Sequence, residues 1–197
     1  MKRQMAIKQK QAGFTLIEIA IVLVIIGLLL GGVLKGQAMI ESTKIKSLAN
    51  SARGLSAAVY AYQDKYKAYP GDDARAKTFL PNASGGCLAA DLDNGNGNGL
   101  ITEYFDALEH LACAGLITGN YNGSSDLLKH PYGGTAYIYS QTIQGKAGNL
   151  VRFDNLPAGA ARDFDALMDD GIYNKGSIRA SADYVAGTTI ANTGYYY

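Results

Sequence analysis

The sequence has no tryptophan, two cysteines and four prolines among 197 residues, and it is sparsely charged, with 18% Asp, Glu, Lys and Arg and a formal net charge of +1. Low net charge with 48% hydrophobic content excludes a charge-extended disordered chain, and the missing basic surplus argues against nucleic-acid binding by the chain as a whole. Gly-x-Ser-x-Gly, His-Glu-x-x-His and phosphate-loop patterns are absent, as are Cys-x-x-Cys and His-x-x-x-His. No enzymatic activity and no obligatory cofactor are therefore expected. No internal repeat is evident. Acidic residues are missing altogether from residues 1–13, which hold Lys2, Arg3, Lys8 and Lys10. The other 184 residues carry 14 basic and 17 acidic side chains, a net charge of −3.

What the sequence does have is a run of 21 residues from Phe14 to Leu34, FTLIEIAIVLVIIGLLLGGVL, in which Glu18 is the one charge. At about 1.5 Å per residue, a helix of this length matches a hydrocarbon core of roughly 30 Å. Lys35 ends it. The basic residues before the run put residues 1–13 in the cytoplasm by the positive-inside rule, and the C-terminal body across the membrane. A simple signal anchor accounts for this much. A cleaved secretory signal does not, because the run exceeds the usual apolar core and no Ala-x-Ala site closes it. Neither reading accounts for Glu18, since a carboxylate in the hydrocarbon zone costs about 2.5–3.5 kcal/mol even on lenient insertion scales.

A short basic leader ending in Gly13, then Phe14-Thr15-Leu16-Ile17-Glu18 and an unbroken apolar helix, resembles the prepilin signature of type IV pilins and type II secretion pseudopilins. The resemblance implies that a membrane-embedded aspartyl prepilin peptidase cuts between Gly13 and Phe14 on the cytoplasmic face and that Phe14 is N-methylated. It also implies that Glu18 pairs with the terminal amine of a neighbouring subunit in a filament. Two charges that are each costly in lipid offset one another when paired inside a helical bundle. Many members have a proline in the second half of this helix; this chain has Gly27, Gly31, Gly32 and Gly36 instead. Glycine lowers helix propensity by about 1 kcal/mol relative to alanine, so Gly31 to Gly36 is either a place to bend or melt on packing or a surface for close helix approach.

The helical pattern continues beyond the membrane. Ile45, Leu48, Ala52, Leu55, Val59, Tyr62 and Tyr66 recur at spacings of 3 and 4, one apolar stripe on an amphipathic helix. Joined to the apolar run, the helix would extend from Phe14 to about Lys67, some 54 residues or roughly 80 Å. It would end before Tyr69-Pro70-Gly71-Asp72, a breaker and turn signal. Residues 71–100 read as a long loop. Thr102 is then expected to cap a helix from Glu103 to Cys113, with Gly115 as its stop. Thr135 to Gln141 and Asn149 to Phe153 read as antiparallel strands joined by a turn containing Gly145 and Gly148. Ala160 to Met168 reads as a short helix, Ser177 to Ala180 as a third strand, and the tail from Gly187 to Tyr197 as a segment ordered by neighbours. The segment HLACAGLITGNYNG, with the AYPGDD turn, is similar to a group of prepilin-type proteins.

Two groups of side chains in the head invite chemistry. Cys87 and Cys113 both fall outside the cytoplasm by this topology, so a disulfide is expected, worth about 3–4 kcal/mol by the chain-entropy argument. A metal pair or a catalytic thiol would need partners the sequence does not clearly supply. The run from Asp91 to Ile101, DLDNGNGNGLI, resembles the start of a helix-flanked calcium loop, with Asn94, Asn96 and Asn98 at positions 1, 3 and 5 and Gly99 at 6. Position 12 is Phe105 rather than a glutamate, so Ca2+ would have to borrow Asp91, Asp93, Glu103 or Asp106. The alternative is a turn-rich loop capped onto the next helix. His110 and His130 read as packing or surface residues, and Asp163, Asp165, Asp169 and Asp170 as solvent-exposed. Tyr132, Tyr137 and Tyr139 are placed on one strand, suited to sheet packing or to a lateral contact between subunits.

These readings divide the chain into a cleaved leader (1–13), a membrane-spanning or filament-core half-helix (14–35), an amphipathic half-helix (36–68) and a periplasmic head (69–197). The fold class is α+β: a long N-terminal helix packed on a small antiparallel β-sheet, pilin-like. The expected function is a filament subunit, type IV pilin or type II secretion pseudopilin, held in the bacterial inner membrane and then in a pilus or pseudopilus. Its partners would be the prepilin peptidase, copies of itself and other pilins, and an inner-membrane assembly platform. The alternative is a monomeric membrane-anchored periplasmic binding module, with calcium as its ligand.

Overall fold

The computed structural model describes residues 13–80 and 92–197. It divides into two compact units, with the break between Ser42 and Thr43. The first unit is the leading part of helix α1 (Leu16–Tyr66). Its apolar side chains are exposed: Phe14, Leu16, Leu28 and Leu34 are each more than 60% accessible. No residue of its most apolar window is buried, and the helix is long and apolar enough to cross a membrane. It stays α-helical through Gly27, Gly31, Gly32 and Gly36, at none of which would a Cβ meet another atom within 4 Å.

The second unit, Thr43–Tyr197, is the head. It contains the rest of α1, then α2 (Ala76–Phe79), α3 (Tyr104–Cys113), β1 (Leu128–Lys129), β2 (Thr135–Ile143), β3 (Lys146–Pro157), α4 (Ala158–Met168), β4 (Ile178–Ala180) and β5 (Thr189–Tyr196). The strands form one antiparallel sheet in the order β1-β2-β3-β5-β4. The stripe expected on α1 is its buried face: Ile45, Leu48, Ala52, Leu55, Val59 and Tyr62 are all in the core. Period-2 alternation supplies the opposing surface, with Ala136 paired to Phe153 and Ile138 to Val151. Phe153 is fully buried and meets Phe164 of α4 edge-on at 5.4 Å. Truncating such a side chain to alanine costs about 3–5 kcal/mol.

The chain chooses its turns by local chemistry. Gln144 and Gly145 both take positive φ, 48° and 79°, which makes the two-residue turn that matches the twist of the β2–β3 hairpin. Gly148, expected in that turn, lies inside β3 opposite Gln141. Helix α3 ends in a Schellman motif: Gly115 has φ +73°, Leu116 N–H donates to Leu111 O and Gly115 N–H to Ala112 O. Its start differs from expectation. Thr102 does not cap it; the hydroxyl donates to Glu103 Oε2 at 2.7 Å instead, and the helix begins at Tyr104 without a side-chain cap.

The largest departure is the tail. Residues expected to need neighbours for order form β5, which sits between β3 and β4. Ile190 and Thr193 are buried beside Leu156 and Phe153 of β3, whereas Tyr196 is buried on the other side of the sheet in a second cluster with Ile143 and Leu150, so these buried side chains come every third residue and show no period-2 pattern in the sequence. Tyr196 also fastens the hairpin. Its hydroxyl accepts from Ile143 N–H (3.0 Å) and lies 2.6 Å from Lys146 O, within donating distance. Tyr132, expected on a strand with Tyr137 and Tyr139, lies in the turn before β2.

Candidate functional site

At the start of α1 the Glu18 carboxylate is held by its own chain. Thr15 N–H and Thr15 Oγ1 each donate to Glu18 Oε2 at 2.7 Å, and Glu18 N–H donates back to Thr15 Oγ1 at 3.3 Å. This is a reciprocal capping box, Thr-x-x-Glu, which supplies partners to amides that the helix itself leaves without any. The sequence signal for the capping role of Thr15 is the Thr-x-x-Glu pattern, with the carboxylate three residues on. Gly13 and Phe14 precede the helix and are exposed.

In the head, the Asn/Gly loop closes around Asp72 and His110. The Asp72 carboxylate, 3% exposed, accepts Asn98 N–H at 2.8 Å and Gly99 N–H at 2.7 Å, and its carbonyl accepts Gly97 N–H. Gly95 lies so close to the Asp72 backbone that a Cβ would overlap it. His110 is fully buried on α3. Its Nδ1 accepts Gly71 N–H at 2.9 Å, so Nε2 carries the proton and donates to Asp93 O at 2.8 Å. Burial pushes the imidazole below its ordinary value, so it remains neutral. His130 repeats the arrangement, with Tyr132 N–H on Nδ1 and Asp154 O against Nε2. Both histidines tie backbone segments together, and neither is presented as a general base.

The proposed calcium ligands are largely engaged within the loop. Asn96 Oδ1 accepts Asn98 N–H and Asn98 Oδ1 accepts Leu100 N–H, two Asx turns in succession. Asn94 Oδ1 accepts Lys77 N–H, and Asp93 Oδ1 pairs with Lys77 Nζ at 2.8 Å. Asn96 Nδ2 donates to Glu103 Oε1 at 2.9 Å. Nearby Asp106 is pushed up to about 6 by partial burial and then by the charges of Asp93 and Glu103. Among the described residues, the acidic side chains close enough to one another to share a metal ion are instead Asp165, Asp169 and Asp170. Asp91 and Cys87 lie outside the described residues. Cys113 is buried in the last turn of α3.

A second acidic group corrects the expectation that the α4 carboxylates are exposed. Asp163, Asp169 and Asp170 are, but Asp165 is fully buried, where it accepts Tyr184 O–H at 2.7 Å and Gly171 N–H at 3.1 Å. Burial raises its pKa. Asp169 Oδ2 accepts the amides of Ser177 and Ile178 and the Ser177 hydroxyl, and Asp170 accepts Ile172 N–H. These carboxylates secure the exit of α4 to the segment entering β4. Sequence spacing gave no sign of it, because the donors come from up to 19 residues away.

Against known families, residues 8–34 match the model described as the prokaryotic N-terminal methylation motif. Neither the curated proteins nor the solved structures include a match to this chain. The matched segment holds Gly13, Phe14, the Thr15–Glu18 capping box and the exposed apolar helix. The chain thus carries the type IV pilin and pseudopilin signature at its N-terminus, and its long helix and five-stranded antiparallel sheet are consistent with the pilin fold.

Proposed function

We propose that this chain is a prepilin-type filament subunit, processed after Gly13, methylated at the new terminus Phe14 and assembled through bundling of its apolar helix. The observation that carries this reading is the methylation motif on a helix whose apolar side chains are exposed, with nothing among the described residues to cover them. Lipid covers them before assembly and other copies cover them afterwards. In the separate chain Glu18 Oε2 is held by Thr15. On assembly the Glu18 carboxylate receives the Phe14 amine of a neighbour, so that each charge offsets the other in an apolar surround. The function is mechanical rather than catalytic. Its partners are a prepilin peptidase, an inner-membrane platform and further pilins or pseudopilins, with the head in the periplasm.

Mass spectrometry of the mature N-terminus in a host that supplies a prepilin peptidase tests the first half of this reading. N-methylated Phe14 is expected; an intact Met1, or a cut elsewhere, overturns it and favours the monomeric anchored module. Glu18→Ala tests the second half: processing is retained while filaments are lost, and normal filaments would refute the pairing.

Two features of the head belong to the same proposal. Cys87 and Cys113 form a disulfide that fastens the segment before the Asn/Gly loop to α3. Calcium is a secondary reading of the loop, resting on the spacing of Asn94, Asn96 and Asn98 with Asp93 before them and Glu103 after. A calcium-dependent rise in melting temperature would uphold it and an unchanged melt would refute it.

A further inference from the structure

The dipeptide Asn-Gly occurs four times in the chain, as Asn94-Gly95, Asn96-Gly97 and Asn98-Gly99 in the loop before α3 and as Asn122-Gly123 after it. This pair is prone to cyclise, because the glycine nitrogen, unhindered by a Cβ, attacks the side-chain amide of the asparagine before it. By exposure alone the loop pairs should react first: Asn94, Asn96 and Asn98 are exposed, whereas Asn122 and Gly123 are half-buried. The hydrogen bonds reverse that order.

In the loop each glycine nitrogen that would attack is already committed. Gly95 N–H donates to Asp73 O at 3.0 Å, Gly97 N–H to Asp72 O at 2.9 Å and Gly99 N–H to the Asp72 carboxylate at 2.7 Å. An amide held in this way must first break its bond, and both aspartates are themselves buried. At Gly123 the N–H has no acceptor among the described residues. The Asn122 side chain beside it is held in place instead. Its Oδ1 accepts Ser124 N–H at 3.1 Å, Ser125 N–H at 3.0 Å and Asp126 N–H at 3.3 Å, and its Nδ2 donates to Ser125 Oγ at 3.0 Å. Three donors on one carbonyl oxygen polarise its carbon and stabilise the negative charge that attack places there. The glycine is also required by the fold. Gly123 has φ +66°, and a Cβ on it would come within 2.5 Å of Glu109 Oε2 and 3.0 Å of Asp106 Oδ1.

We propose that Asn122–Gly123 is a self-modification site, at which Asn122 is converted to isoaspartate or aspartate while Asp72 and Asp73 protect the three pairs of the loop. Gly123 N forms a bond to Asn122 Cγ and gives its proton to water, and charge gathers on Oδ1 under the three amides. The bond from Cγ to Nδ2 then breaks, and Nδ2 takes up a proton and leaves as ammonia. Water opens the resulting cyclic imide, at the main-chain carbonyl to leave isoaspartate or at Cγ to leave aspartate. One water is consumed and one ammonia released. Each copy gains one negative charge on the segment between α3 and β1, with no enzyme involved. Isoaspartate also lengthens the backbone by one atom, so the cap over Ser124, Ser125 and Asp126 is lost.

The test follows the full chain in detergent at body temperature and mildly alkaline pH, in parallel with the same chain in concentrated guanidinium chloride. Aliquots are digested in acid by a glutamate-specific protease, whose cuts after Glu103 and Glu109 separate the two segments for mass spectrometry. Each conversion adds one mass unit, and electron-transfer fragmentation distinguishes isoaspartate from aspartate. In the folded chain Asn122 is expected to react about tenfold faster than Asn94, Asn96 or Asn98, the factor set by one hydrogen bond that must break. In denaturant the four rates converge. A folded chain in which the loop asparagines react as fast as Asn122 or faster overturns the proposal, and so does an Asn122 that stays intact while the denatured chain is converted.

Discussion

Replacing His110 with alanine would unfasten the head loop from α3, and the structure sets the size of the effect. The imidazole is fully buried, and its two nitrogens satisfy Gly71 N–H at 2.9 Å and Asp93 O at 2.8 Å. Alanine leaves both backbone groups without their partner. Each costs about 1–3 kcal/mol, and water entering the vacated space recovers part, so about 4 kcal/mol is expected in sum. For a domain of this size that corresponds to a melting temperature lower by about 8–16 °C. Without tryptophan, the near-ultraviolet circular dichroism of the full chain in detergent reports on its tyrosines, and Tyr62 stacks over His110 at 6.2 Å. The pH dependence supplies a second readout. Burial holds the folded His110 below its ordinary value of 6.5, so as pH falls the unfolded chain takes the proton first. Stability fully present above pH 6.5 is then lost below it, by at most about 1.4 kcal/mol per pH unit. His110→Ala removes that slope. A variant melting within about 2 °C of the parent and keeping the slope would refute the argument.

Asp106 gives a slope of the opposite sign. Its folded value is raised to about 6 from 3.8, so its destabilising effect grows as pH rises through that window and is constant above it. With the group only half-buried, solvent screening reduces the effect to about 1 kcal/mol, and Asp106→Asn should melt higher than the parent at pH 7 but equally at pH 4; equal melts at both would refute this. Deleting residues 189–197 removes β5, which among the described residues is the strand partner of β4. Loss of the tyrosine dichroism at 25 °C is expected, and a retained signal would show that the sheet closes without its last strand.

What could be read from the sequence was whatever repeats with a short period. The spacing of Ile45 through Tyr62 specified the buried face of α1, and the alternation around Ile138 and Val151 specified the hairpin, because both follow from backbone geometry alone. The N-terminal methylation motif, which includes Gly13, Phe14 and Glu18, was legible because it is one contiguous stretch of sequence. The capping role of Thr15 had a sequence signature too, in the Thr-x-x-Glu spacing. The rest depends on contacts between distant residues. Asp165 was expected at the surface because nothing near it in sequence announces Tyr184, and β5 was concealed because its buried residues Ile190, Thr193 and Tyr196 come three apart and divide between two clusters. The Asn/Gly loop suggested a metal ligand set by its composition, yet its oxygens mostly accept the loop's own amides and those of Lys77.

The place of β5 has a consequence for the order in which the head can close. β5 lies between β3 and β4, and Tyr197, just beyond it, meets Tyr60 of α1 edge-on at 5.6 Å. Among the described residues β5 is the strand partner of β4, so β4 can join the sheet only after β5 has docked on β3. The same docking carries Tyr197 to α1, which couples completion of the sheet to its seating on the helix. A head in which β5 is displaced presents an unpaired edge of β3, open to pairing with another chain.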